Sequence, residues 1–171
     1  SKGKAGVPVE LGVRLCVVED QYGFILHHRM MHQEQDVDVA VDIIKDTHTK
    51  FGNLSSVSFD KGFHSAKDSS GSNNRQKLEE IGIRAYLPIK GRPNKSDKER
   101  ESTEEFGKAR KQHPAIESAI NALQCHGLNG CPDKGEAHFR RYAAMGILAH
   151  NIHKIGAITI QRDLTKERQV A

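Results

Sequence analysis

Apolar side chains recur at two periods along this chain, and the period changes where one element gives way to the next. From Val9 to Glu19 they alternate and cluster (Leu11, Val13, Leu15, Val17), Asp20-Gln21-Tyr22-Gly23 supplies turn residues, and Phe24-Ile25-Leu26-His27-His28 follows. That pattern predicts an antiparallel hairpin. Beyond Asp36, Val37, Ala40, Val41 and Ile44 fall at helical spacing and Phe51-Gly52-Asn53 supplies a stop, which predicts a helix over 37–50. Val57-Ser58-Phe59 is short and β-prone, as a buried parallel strand is, with Asp60 at its carboxyl end. A polar loop over 65–74 leads to a helix over 75–80 that ends near Gly82, and Ile83 to Pro88 reads as the next strand.

The second half is less regular. Lys90 to Glu105 is charged, almost without apolar residues and interrupted by Pro93, which predicts a mobile basic loop passing into a helix. A helix opening near Pro114 places Ile116, Ala119, Ile120 and Leu123 on a buried stripe, with Glu117 and Asn121 on a different face and Gly127 as its stop. The last helix is predicted over 137–155 from the spacing of Phe139, Tyr142, Ala143, Gly146, Ile147 and His150. The expected organisation is one domain over 1–162 and a charged, frayed tail over 163–171.

Composition adds modest constraints. Lys and Arg number 26 against 22 Asp and Glu, with ten histidines, a balance that suits a polyanionic partner. No apolar stretch approaches the roughly 18 residues of a membrane span, and the start lacks the apolar core of a signal peptide, so a soluble, cytoplasmic protein is expected. Three cysteines, Cys16, Cys125 and Cys131, show no disulfide-rich spacing and suit a reducing compartment.

Two acidic motifs carry the candidate chemistry. Ser58-Phe59-Asp60-Lys61-Gly62-Phe63 closes an apolar run, and His113-Pro114-Ala115-Ile116-Glu117-Ser118-Ala119-Ile120-Asn121 opens a helix. A carboxylate at a strand end and another on a helix can meet at one point, as Mg²⁺ requires with its few hard oxygen ligands. Each residue alone has a plainer reading: Asp60 as a turn or helix-cap aspartate, Glu117 as a first-turn glutamate favoured by the helix dipole. Cations at Lys61, His64, Lys90 and Arg92 flank the expected site and suit phosphate contact, as ordinary surface charge would also explain. Cys125, His126, Cys131 and His138 are of zinc-ligating types, but their spacing fits no common zinc pattern. His150 and His153 carry no assigned chemistry.

The order hairpin, helix, strand with Asp, helix, strand, charged loop, helix with Glu resembles the RNase H-like catalytic core of DDE transposases. The closest resemblance is to the ISNCY-type group of bacterial insertion sequences, and it covers nearly the whole chain. It rests on Lys2-Gly3-Lys4-Ala5-Gly6, Val9-Glu10-Leu11-Gly12, Glu19 to Leu26, Ser58 to Ser65, Leu87-Pro88-Ile89-Lys90-Gly91-Arg92, Ile116 to Leu123, Gly127 to Gly135 and Phe139 to Ala144. The resemblance implies an α/β, RNase H-like mixed sheet flanked by helices. It implies Asp60 and Glu117 as catalytic metal ligands, Mg²⁺ or Mn²⁺ as cofactor, phosphodiester cleavage and strand transfer as activity, and transposon ends and target DNA as partners. A homodimer in the bacterial, nucleoid-associated parent is implied as well.

Two departures qualify it. The family's first aspartate lies on the first of three meander strands, whereas two strands precede the first helix here. That strand is therefore expected upstream of Ser1, leaving the isolated chain one ligand short and inactive, a catalytic portion or a non-catalytic nucleic-acid-binding remnant. Asp20, or Glu19, offers a substitute carboxylate, though beside Gly23 a turn role suits Asp20 better. Related groups also carry Tyr, Arg and Lys around the glutamate, where this chain has Arg110, His113 and Gln124. Arg110 and His113 remain able to contact phosphate, and Gln124 brings no charge.

Overall fold

In a computed structural model of the chain, residues 13–69, 71–128, 130–132 and 134–170 are described. Strand β1 (Arg14–Glu19) pairs antiparallel with β2 (Ile25–Met31), in register from Arg14 opposite Met31 to Val18 opposite His27, with a bulge before Glu19. The turn is made by Asp20, whose carboxylate accepts the backbone N–H groups of Tyr22 and Phe24, both at 2.9 Å. This is a turn role for Asp20, as its place beside Gly23 predicts. The motifs expected at residues 1–12 lie outside the described residues.

Helix α1 (Asp36–Phe51) buries Val39, Ala40, Val41, Ile43, Ile44 and Thr47. Its apolar face is wider than the spacing of Val37, Ala40, Val41 and Ile44 predicts, because it packs on the hairpin and also on the turn Lys61–Phe63 and the helix Asn74–Glu80. Cys16, Val18 and Met31 from the hairpin share one core cluster with it, as do Phe59, Ala85 and Leu87 around a second pair. That second pair is β3 (Ser56–Ser58) parallel to β4 (Arg84–Tyr86), joined through α2 (Asn74–Glu80), whose cap Asn73 accepts from the N–H of Gln76. A mixed α/β protein is therefore shown, mostly helical. The single mixed sheet expected from the resemblance is not formed among the described residues: β1-β2 and β3-β4 are two sheets.

The charged stretch, predicted as a mobile basic loop passing into a helix, contains α3 (Lys95–Glu101), capped by Asn94, and leads to α4 (Glu104–Gln112), capped by Thr103. Arg100 and Glu101 fasten α3 to the exit of β4: Arg100 donates to the Leu87 carbonyl at 3.3 Å, and Glu101 accepts the Ile89 N–H at 2.8 Å. Phe106 on α4 is buried, beneath the guanidinium of Arg100.

Helix α5 (Pro114–Leu123) opens on proline, whose missing N–H is harmless at the first helical position. It buries Ala119 and Leu123, but Ile120 is 40% exposed, so the stripe is narrower than predicted. A wide turn over 124–128 follows, in which Gly127 takes a left-handed φ of 110° and its carbonyl accepts the Tyr142 hydroxyl at 2.9 Å. Helix α6 (Glu136–Val170) runs 15 residues past the predicted end at 155, through the segment expected to fray. Its Ile147 packs with Ile25 and Leu123, closing the hairpin's second face. Asn151 bonds the N–H and the carbonyl of Ile25, both at 2.9 Å, and locks α6 to the start of β2. Among the described residues no helix is long and apolar enough to cross a membrane.

Candidate carboxylate and cation site

Phe59 extends the β3-β4 ladder by one bond, its N–H donating to the Tyr86 carbonyl at 3.2 Å. Asp60 is thus the first residue off the strand. A single 3₁₀ turn over Lys61–Phe63 follows, and the side chain of Asp60 makes no cap bond to it. What holds the turn lies elsewhere. Phe63 stacks on Phe59 at 5.2 Å between ring centroids and joins the core. Gly62 sits so close to the amino end of α1 that a Cβ there would meet an Asp36 carboxylate oxygen at 2.9 Å. Asn74, itself buried, donates to the carbonyls of Phe63 and Val37. With its neighbours fixed by packing, Asp60 is left exposed, its carboxylate free of hydrogen bonds and ion pairs among the described residues.

The junction of α4 and α5 is fastened to this strand end. Arg110 donates through Nη1 to the Phe59 carbonyl at 3.0 Å, and His113 Nδ1 lies 3.4 Å from the Ser58 hydroxyl. One turn beyond His113 stands Glu117, exposed and likewise without a hydrogen bond or ion pair. The imidazole lies in the field of both acids. Burial and the neighbouring Arg110 push its pKa below 6.5, while Asp60 and Glu117 pull it upward. The strand end and the helix are thereby gathered around one half-buried histidine.

Of the residues singled out from the sequence, Arg110 and His113 are fastened to the strand end that Asp60 follows, and Glu117 stands one turn beyond His113. Arg110 and His113, expected at DNA phosphates, are engaged with the protein itself as a clamp on Phe59 and Ser58. Lys61 is exposed beside Asp60. Lys90 and Arg92, both exposed, leave the carboxyl end of β4, which is the same end of the parallel pair from which Asp60 emerges. The imidazole of His64 makes no hydrogen bond to any of the four. Sequence reasoning missed the clamp, because its acceptor is a backbone carbonyl that no side-chain pattern announces. It also missed the anchoring role of Asn151.

Hard carboxylate oxygens are the donors that Mg²⁺ and Mn²⁺ favour, and Mg²⁺ is commonly held by one or two carboxylates with waters completing its shell. Asp60 and Glu117 fit such an ion in kind. Among the described residues no three His, Cys, Asp or Glu side chains gather into a metal-binding group.

The clamp has a pH signature. A histidine whose folded pKa lies below its unfolded value is protonated first in the unfolded chain, so its contribution to stability is complete above 6.5 and declines as pH falls through that value. His27 and His28 shift in the same direction, through burial and then Lys50. Urea denaturation should therefore show falling stability on acidification through about 6.5, with a shallower fall in His113→Gln. An unchanged slope in that variant would remove His113 from the buried clamp.

The chain matches no protein-family model, no curated protein and no solved structure.

Proposed function

We propose that this chain is part of a DNA-processing enzyme of the DDE transposase type, in which Asp60 and Glu117 hold a divalent cation, Mg²⁺ or Mn²⁺, at a DNA backbone. The observation that carries the reading is the clamp. Two bonds to Ser58 and Phe59 bring the glutamate helix to the carboxyl end of the parallel pair, where one imidazole feels both acids. Ligands of open α/β sheets bind outside that end.

Within such a site, the ion supplies charge stabilisation for the attacking and leaving oxygens of phosphodiester displacement. The chain's own residues bind and orient. Asp60 and Glu117 hold the ion, Arg110 and His113 keep their supports together, and Lys61, Lys90 and Arg92 meet phosphates. The parent acts as a homodimer on transposon ends and target DNA.

A second reading, a non-catalytic nucleic-acid-binding remnant, is favoured by the absence of a three-ligand group among the described residues. Both readings require backbone contacts. Fluorescence anisotropy with duplex DNA should give an affinity that falls log-linearly with salt, and Lys90→Ala with Arg92→Ala should flatten the slope by about 2. Salt-independent or undetectable binding contradicts both. Nicking by the parent that is lost in Asp60→Asn selects the first reading, and its absence in the parent selects the second.

A further inference from the structure

Helix α6 has two apolar faces, and the body of the protein covers one of them. Ala143 and Ile147 are buried against the body, whereas Met145, Leu148, Ile152 and Ile155 on the opposite side are 64%, 51%, 58% and 56% exposed. From Ile155 to Gln169 every residue is exposed. An isolated helical segment of that length is marginal in water, since helices in proteins draw most of their stability from packing. The free face needs a partner.

The geometry points to a second copy of this chain, packed antiparallel along α6 about a two-fold axis near residue 150. The four exposed residues are spaced three, four and three apart, the a and d positions of a heptad. Their spacing is the same read in either direction. Reversing one helix sets Met145 opposite the partner's Ile155 and Leu148 opposite the partner's Ile152, so the stripe is complementary to itself, as an isologous contact demands. The flanking residue Ala149 lies at the axis and allows close approach.

Charge selects the direction. A parallel pair would stack Arg141 on Arg141 and Arg162 on Arg162 at the edges of the seam. The antiparallel pair sets Arg141 opposite the partner's Thr159, one turn from the partner's Asp163. Neither Arg141 nor Asp163 has an ion-pair partner among the described residues of its own chain. The arrangement also lays the projecting end of each α6 along the first turns of the other, while the two bodies stay on the outside.

The contact involves about a dozen residues a side, roughly half of a standard interface. This inference does not rest on the proposed cation site, and its test uses neither metal nor DNA. Sedimentation equilibrium should show a monomer–dimer equilibrium, shifted at least tenfold toward monomer by Ile152→Asp with unchanged circular dichroism. For direction, a background of Cys125→Ser and Cys131→Ser receives Ala149→Cys or Arg141→Cys. Oxidation should cross-link the first variant and spare the second. A monomer at all concentrations, as expected if a segment of a longer parent covers this face, would overturn the inference. So would a dimer insensitive to Ile152→Asp, or cross-linking through Arg141→Cys.

Discussion

Ile44→Ala is expected to lower the unfolding free energy by about 2–5 kcal/mol, the usual cost of truncating a fully buried isoleucine. Ile44 is 1% exposed and sits at the centre of the face by which α1 holds both sheets. The size of the effect follows from that position. Each two-stranded pair is marginal by itself, and without a shared sheet among the described residues, α1 is what unites them in one core. Ile43, Val39 and Thr47 on the same helix are nearly inaccessible as well. Thr47 already spends its hydroxyl on the Ile43 carbonyl at 2.6 Å, which leaves little freedom to collapse into the space. Chemical denaturation measures the loss. Lys45→Ala, an exposed change on the same helix, should stay within about 0.5 kcal/mol. An Ile44→Ala loss of similar size to Lys45→Ala would mean that α1 is not the common support.

The hairpin, α1, the parallel pair and the positions of Asp60 and Glu117 were legible because each depends on local periodicity or a compact motif. Val17, Gly23 and Ile25 announce a hairpin whatever lies around it. The division into two sheets was not legible, since alternation says which residues form a strand and nothing about which strand lies alongside. Helix α3 was hidden by its charge. Only Asn94 and Thr103, ordinary caps for α3 and α4, signalled helix starts within a polar run. Ile120 and the isoleucines beyond 155 show the opposite error. Helical spacing marks a face without saying that it is buried, and Ile158, Ile160 and Leu164 continue the helix in the open, beyond its contacts with the body. At the site, the motif located both acids, but the α4–α5 junction is tied to the strand before Asp60 by Arg110 reaching a main-chain oxygen 51 residues away.

The second large effect concerns Asp60 and Glu117 as a pair. If both oxygens hold one cation, removing either removes most of the binding, because a single exposed carboxylate holds a hydrated divalent ion poorly. Asp60→Asn and Glu117→Gln should each weaken Mn²⁺ binding by about tenfold or more, and the double variant should lose little beyond either, the non-additivity of residues that share one partner. Both substitutions keep side-chain volume, and both side chains are exposed and without bonds to lose, so the fold should be unaffected. His113 reports the event from within, since it lies in the field of both acids. The decisive measurement is the Mn²⁺-induced broadening of the His113 imidazole resonance in the unsubstituted chain and in the three variants. Strong broadening that disappears equally in Asp60→Asn, in Glu117→Gln and in the double variant is the predicted result. Broadening that survives either single substitution, or that falls by independent and additive steps, would mean that the two carboxylates do not share an ion.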